Sequence, residues 1–308
     1  MNTTLRKIGI LIKSYIDISK LRLVLLLYFT AFSSLVISSS IYGYDWKKII
    51  LISLAVIFSV MGSNASTAFI DREMDGVMGR TNNRPVPSGK IYPARNALIY
   101  GLVMVLTGII IASFISCWSA IFLLLGFLDS AIIYNAISKK KSPLNVIFGA
   151  PAGGMPVLVG WAAVANKIDI IAIFMFILVI VWTPTHIWSL AYFYKEDYRK
   201  AGVPMLPVVW SDRKVFILLS VLDFILVLFS IIIGVLAKLS ILYIIITSAL
   251  GVIIIIFSLL LITKNSKKYA WLLFKFSSPY LAVIFLLIII DYVLFNLTAL
   301  ISRKCSRA

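Results

Sequence analysis

The chain has 308 residues, 61% of them hydrophobic, with 29 Lys and Arg against 12 Asp and Glu and a net charge of +17. Several apolar runs approach or exceed the ~20 residues that a helix needs to cross a bilayer, which excludes a soluble globular enzyme and points to a polytopic membrane protein. The basic residues are distributed between those runs, which argues against nucleic acid as the partner, and the two cysteines (Cys117 and Cys305) make neither a disulfide framework nor a thiolate metal cluster.

In chain order, Met1 to Lys20 is basic and mixed, without a short apolar segment and cleavage site, so no secretory signal is expected. Leu5, Ile8, Leu11, Ile12, Tyr15 and Ile16 recur at helical spacing between Arg6, Lys7 and Lys13. This predicts a helix lying in the membrane interface over residues 1–20. Nine spans are expected, roughly 21–41, 49–70, 94–113, 118–137, 146–164, 168–190, 214–236, 240–262 and 277–299. Residues 21–300 thus form one membrane domain and 301–308 a tail. With the N-terminus cytoplasmic, all but seven of the 29 basic residues fall on the inside; the seven are Lys47, Lys48, Lys167, Lys238, Arg303, Lys304 and Arg307. The positive-inside rule orients the chain accordingly. The three in the tail conflict mildly with nine spans, and an even number would remove the conflict.

The polar stretches all fall on the cytoplasmic side. The first runs from Asn64 to Pro85, directly after an apolar run. At 100° per residue, Asn64, Asp71 and Asp75 fall within about 40° of one another on a helical wheel. A carboxamide and two carboxylates on one stripe suit Mg²⁺, which keeps waters and bridges to substrate phosphates. Arg80 and Arg84 follow and suit bidentate phosphate binding. The competing reading is a solvated cap with positive-inside charges. The second stretch, Tyr134 to Pro156, carries Lys139, Lys140 and Lys141, either neutralising a diphosphate or simply marking topology. Its Gly/Pro-rich part serves close helix packing or leaves room for a bulky ligand. The third, Trp182 to Pro207, holds His186, the single histidine. Between Trp182 and Trp188 it is either a structural histidine or a contact for a flat aromatic substrate or its carboxylates. Glu196 and Asp197 either complete a metal or diphosphate site opposite Asp71 and Asp75 or lie in a solvated loop. Asp129, Asp223 and Asp291 are costly membrane acids. Asp129 is expected to face the cavity, and the other two to be in helix pairing or water contact.

These stretches carry a resemblance. Asn64 to Asp75 resembles the NxxxxxxDxxxD motif of UbiA-type intramembrane prenyltransferases, and within them the protohaem IX farnesyltransferase (haem O synthase) group. Met78-Gly-Arg80-Thr81-Asn-Asn-Arg84-Pro85 is similar to that group's MxRTxxRP element. Tyr134 through Gly149 resembles YTxxLKRxxxxNxxxG, with Asn135 and Ser138 as departures. Pro184 through Val208 resembles PPHFWxLA…DYxxAxIPMLPV, departing at Thr185, Ile187 and Val203. Lys20-Leu-Arg22 resembles KPR without the proline. Spans 7 to 9 match in hydropathy only.

The resemblance implies an all-α bundle of about nine helices around a central cavity open to the cytoplasmic side. Asn64, Asp71 and Asp75 would hold Mg²⁺ on a prenyl diphosphate, with Lys20, Arg22, Arg80, Arg84, Lys139 and Lys140 neutralising its oxygens. Tyr134, Asn145, His186, Trp188, Glu196, Asp197 and Tyr198 are the further substrate-binding candidates. Related aromatic prenyltransferases carry a second DxxxD after span 6, and Tyr194-Lys-Glu-Asp-Tyr198 lacks it, which weakens a second metal. The implied substrates are farnesyl diphosphate and haem B, in the lipid bilayer of the cell membrane, with a haem A synthase or terminal oxidase assembly factor as implied partners. The competing readings are a prenyltransferase acting on a quinone or lipid precursor, a transporter, and a haem-binding or assembly protein without catalysis. One-sided polar motifs disfavour the transporter.

Overall fold

The computed structural model of the protein describes residues 3–305, with side chains described from Leu5 to Leu294 apart from Lys7. Of the expected tail, residues 306–308 and the side chains of Arg303 and Lys304 lie outside the described residues. Among the described residues the fold is entirely helical.

In chain order, α1 is Thr3–Ser19, α2 Leu21–Tyr42, α3 Trp46–Ile70, the short α4 Arg72–Val77, α5 Arg95–Ser113 and α6 Cys117–Leu128. α6 continues as a π-helical segment, Asp129–Ser138. Then come α7 Asn145–Ala165, α8 Ile170–Phe193, the short α9 Lys195–Lys200 and α10 Leu206–Val209, α11 Asp212–Leu236, α12 Ile241–Lys264 and α13 Lys267–Cys305. Nine of the described helices are long and apolar enough to cross a membrane: α2, α3, α5, α6 with its π-helical continuation, α7, α8, α11, α12 and α13. The protein is a multi-pass membrane protein. Its outward surface displays large apolar side chains such as Leu25, Ile50, Leu106 and Ile245, as expected where lipid is the solvent and backbone polar groups are satisfied within each helix.

Local chemistry fixes the helix ends. Asp45 caps α3 by accepting from the N–H groups of Lys47 and Lys48 at 3.0 and 3.3 Å. Ser240 caps α12, and Asp291 from α13 accepts both its N–H and its hydroxyl, at 2.8 and 3.0 Å. Asp291 therefore ties two helices together. Gly43 ends α2 at φ +103°, a backbone that L side chains rarely adopt.

α7 is the axis of the bundle, packed against α2, α6 and α8. Val157, Leu158 and Trp161 on one of its sides join the core with α8, α11, α12 and α13, while Val159 and Ala163 join the core with α2, α3, α5 and α6. α3 and α5 approach closely at Gly62 and Gly101, where a Cβ on either residue would run into the backbone of the other. Small residues at helix interfaces supply van der Waals packing where lipid offers no hydrophobic drive.

Three expectations from the sequence are revised. The last span begins at Lys267 rather than 277, so Lys267, Lys268 and Lys275 lie on the helix and not in a loop. Asp129 does not line the cavity described below; it is buried and accepts the N–H of Ala152 at 2.8 Å. This places a carboxylate acceptor beside α7 just after Pro151, where the proline has interrupted the helical ladder. The helical wheel through Asp75 is interrupted at Asp71, which ends α3 and begins α4, although the N–H of Asp71 still reaches the Thr67 carbonyl and that of Asp75 the Asp71 carbonyl.

α1 packs against α3 with Ser14, Ile18 and Ser19 buried, and leaves Leu5, Ile8, Ile12 and Ile16 exposed. Asp223 is wholly buried on α11, beside the hydroxyls of Thr185 on α8 and Ser258 on α12.

Candidate active site

Between the two cores lies a cavity of about 320 Å³, bounded by α2, α3, the α6 helix with its π-helical extension, α7, α8 and α13. Its wall is mainly aliphatic and aromatic, with Leu27, Phe29, Phe122, Met155, Val159 and Leu281 among the lining residues. Ser63, Asn64 and Tyr134 contribute polar groups on one side, and Trp182, Thr183 and His186 contribute them from α8. The ring of Tyr134 lies so close to α7 at Gly149 that a Cβ there would stand 2.6 Å from its Cδ2. Only glycine allows this approach.

Asn64 joins the cavity to a charged cluster. Its side-chain amide donates to the Ser19 carbonyl at 2.9 Å, which turns the carboxamide oxygen the other way. Roughly 10 Å further along the chain, at 1.5 Å per helical residue, come Asp71 and then Asp75. They are 6% and 3% exposed, so both carboxylates are withdrawn from lipid and solvent. Asp71 Oδ2 is 2.6 Å from Lys139 Nζ, while Asp71 Oδ1 is buried with no hydrogen-bond partner among the described residues. Asp75 Oδ2 accepts from Arg84 at 2.8 Å.

Both loops fold back over this cluster. Thr81 donates to the Asp75 carbonyl at 2.9 Å and pins the chain between Arg80 and Arg84. Arg80 donates to the Tyr198 hydroxyl at 2.7 Å and lies over the rings of Tyr194 and Tyr198, at 4.8 and 5.0 Å from their centroids. The loop after α3 and the loop after α8 are thereby joined through a guanidinium.

Lys20 sits at the turn between α1 and α2 in a left-handed conformation, φ 53°. Burial lowers its pKa to about 8, reinforced by the positive charges of Arg84 and Lys139 and opposed by Asp71 and Asp75. Lys139 is also buried, which works against its charge, but the Asp71 carboxylate overrides burial and its pKa is raised. Three cations crowd two carboxylates here, an excess suited to a polyanion.

Comparison with known proteins bears directly on this arrangement. Residues 26–290 match the UbiA prenyltransferase family. The chain belongs to the UbiA prenyltransferase family. A protoheme IX farnesyltransferase from Desulforudis audaxviator is 37% identical over 279 residues, covering 91% of this chain and 88% of that one. One from Thermoplasma acidophilum is 40% identical over 243 residues, covering 79% and 84%. Among solved structures, a digeranylgeranylglyceryl phosphate synthase superposes with a TM-score of 0.76 at 21% identity, covering 92% of this chain and 99% of that one. A UbiA homologue from Archaeoglobus fulgidus bound to DMAPP and Mg²⁺ gives 0.64 at 16%, covering 88% and 99%. At these identities the structural likeness concerns the fold.

In this UbiA-family chain the expected site residues separate into groups. Asp71, Asp75, Lys20, Arg84 and Lys139 gather in the charged cluster, and Asn64 bonds to the Ser19 carbonyl next to Lys20. Arg80 and Tyr198 form the clasp beside it, and Tyr134 and His186 line the cavity. Asp197 lies near Gly79, 4.0 Å from where a Cβ would stand. Asn145 is fully buried and bonds to the Ser142 carbonyl at 2.7 Å, holding the turn into α7. Trp188 is 2% exposed and packs in the core away from the cavity. Arg22 and Lys140 are exposed, and Glu196 is exposed and paired with Arg199 at 2.6 Å. The structure does not bring these last four to the cluster.

The donor set fits a hard divalent cation. No three His, Cys, Asp or Glu side chains gather at a point among the described residues. A cation would thus rest on two carboxylates and the Asn64 carboxamide, with phosphate oxygens or water completing it, which is the way Mg²⁺ is commonly held. The buried and partnerless Asp71 Oδ1 is an acceptor already free of protein donors. Sequence reasoning missed Ser19, which orients Asn64, and Ser277 on α13, which receives both Trp182 and His186. Neither carries a local signal, because each acts through a helix distant in sequence.

Proposed function

We propose that the protein transfers the farnesyl group of farnesyl diphosphate to a vinyl group of haem B, with addition of water, giving haem O and diphosphate. The observation that carries the chemistry is the position of Asn64, in the wall of the apolar cavity and bonded to the Ser19 carbonyl next to Lys20, whose charge is coupled to Asp71 and Asp75. The choice of haem as acceptor is supported by the relatives at 37% and 40% identity.

Asn64, Asp71 and Asp75 would hold Mg²⁺, which when bound supplies charge neutralisation for the departing diphosphate. Lys20, Lys139, Arg84 and Arg80 bind the diphosphate oxygens and favour heterolysis of the allylic C–O bond, whose electron pair leaves with the diphosphate. The cavity keeps water from the allylic cation, and its aromatic walls, Tyr134 and Phe122 among them, face the charge. The vinyl π pair then bonds to the farnesyl terminus. The adjacent carbon becomes cationic and takes up water, which loses a proton to leave the hydroxyl.

The positive-inside distribution supports a reading with the N-terminus and this charged cluster on the cytoplasmic face of the cell membrane and α1 along the interface. A haem A synthase or an oxidase assembly factor would receive the product. The test is to incubate membranes containing the protein with haem B, farnesyl diphosphate and Mg²⁺ and to identify the haem species by mass. A farnesylated, hydrated haem is expected. Its absence, with prenylation of a quinone or lipid precursor instead, overturns the acceptor assignment.

A further inference from the structure

His186 is held on three sides. Its ring stacks on Trp182 with centroids 4.4 Å apart and planes at 20°, and leans on Phe274 at 4.5 Å and 33°. Its Nδ1 lies 2.8 Å from Ser277 Oγ, and that hydroxyl donates its own proton to the Phe274 carbonyl at 2.8 Å. With that proton on the Phe274 carbonyl, Ser277 Oγ accepts from Nδ1, which assigns the imidazole proton to Nδ1 and the lone pair to Nε2. Ser277 also fixes the stacking partner, since Trp182 Nε1 donates to its carbonyl at 2.8 Å. With both faces covered and Nδ1 occupied by Ser277, the nitrogen left for a ligand in the cavity that His186 lines is Nε2.

An imidazole with one nitrogen tied to a second group and the other left bare is the arrangement that metal-ligating histidines adopt. Yet no Asp, Glu or Cys side chain lines this cavity. A free divalent cation at His186 would find no carboxylate or thiolate in the cavity wall to hold it, whereas a metal that arrives with its other ligands already in place needs only the imidazole. A metalloporphyrin does so. We propose that Nε2 of His186 is an axial ligand to the iron of the haem acceptor. The proposal rests on the acceptor assignment above and deepens it. The Fe–N bond anchors the centre of the macrocycle on the α8 side of the cavity, while the diphosphate is held from α3. A peripheral vinyl group is thereby directed toward the prenyl terminus across the shared chamber.

The test uses the purified full-length protein in detergent, with haem B as the probe. Resonance Raman of the ferrous complex and electron paramagnetic resonance of its nitrosyl adduct should show an iron–histidine bond in the wild type. His186→Ala should lose it, and added imidazole should restore it, which separates loss of the ligand from loss of the fold. Ser277→Ala should weaken haem affinity about 10–100-fold, as removal of the group orienting a ligating histidine does. If the wild type farnesylates haem B but its complex lacks the histidine signature, the ligand assignment is overturned and the proposed function stands. The assignment is equally overturned if His186→Ala keeps the wild-type spectrum, whatever happens to turnover. If wild type leaves haem B unmodified and prenylates another acceptor, the functional reading falls and takes the ligand assignment with it.

Discussion

Lys139 and Asp71 face each other at 2.6 Å in a buried pair that uses one carboxylate oxygen and leaves the other, Oδ1, without a hydrogen-bond partner among the described residues. The ammonium thus fixes the carboxylate while leaving an acceptor for a cation. Asp71→Asn keeps the shape and removes the charge, and turnover is expected to fall on the order of 10²–10³-fold, the scale for removing one electrostatic contributor. Chelation of divalent ions should have a comparable effect on the wild type and little further effect on the variant. Haem product quantified by mass over time checks both.

The same pair predicts a stability effect. Lys139→Met removes the ammonium bonded to the buried Asp71 and leaves only the charge of Lys20 to compensate it, which should cost up to about 3–5 kcal/mol. The double variant Lys139→Met with Asp71→Asn removes both charges and should recover most of that loss. Thermal denaturation in detergent, compared across the three proteins, measures the coupling.

Lys20 gives a pH signature. Its pKa is lowered to about 8 by burial and by the neighbouring cations, against an ordinary 10.5. The unfolded chain therefore binds more protons than the native one between those values, and native stability should rise with pH through that window. Diphosphate binding runs the other way. A bound polyanion favours the charged ammonium, so affinity should be level below pH 8 and fall up to about tenfold per unit above it. Lys20→Arg keeps its charge and should lack that decline, as read by titrating a non-hydrolysable prenyl diphosphate across the range.

Arg80 bridges the loops after α3 and α8 through the Tyr198 hydroxyl at 2.7 Å. Tyr198→Phe removes that bond and keeps the ring. A charge-assisted bond at a partly exposed site is worth about 1–1.5 kcal/mol, so the apparent KM for prenyl diphosphate should rise roughly 5–10-fold with a smaller change in kcat. Steady-state kinetics at saturating haem B separate the two.

Gly101 tests the packing of α3 on α5. A Cβ there meets the backbone of Gly62 and Ser66, so Gly101→Val should force the helices apart at a cost of about 1–3 kcal/mol. The expected result is a lowered midpoint of thermal unfolding. Gly202 lies at φ +65° with open space around it, so its replacement strains only the local backbone and provides a comparison without helix displacement.

Much of this was legible before the structure. Asn64, Asp71 and Asp75 could be placed on one face because a helix repeats every 3.6 residues, and Arg84 could be linked to them because its loop is short. Lys139 was visible as a candidate through its chemistry, though not its distinction from Lys140. A one-residue difference within a basic run becomes decisive only when the π-helical segment turns Lys139 inward at 9% exposure and leaves Lys140 exposed. Glu196 and Asp197 were equivalent in sequence for the same reason, and the fold separated them by pairing Glu196 with Arg199 at the surface.

The sequence by itself determined the membrane class, the nine stretches apolar enough to cross a membrane, the polar residues at and just after the end of α3, and the residue types that suit a metal and a polyanion. Those properties follow from local periodicity and composition, which act over one or two helical turns. The tertiary structure alone decided that Ser19 orients Asn64, that Asp129 serves the interrupted ladder of α7, and that Ser277 holds Nδ1 of His186 from 91 residues away. Such contacts depend on how one helix packs on another. A helix fixes the direction of its own side chains, but only packing chooses what they meet.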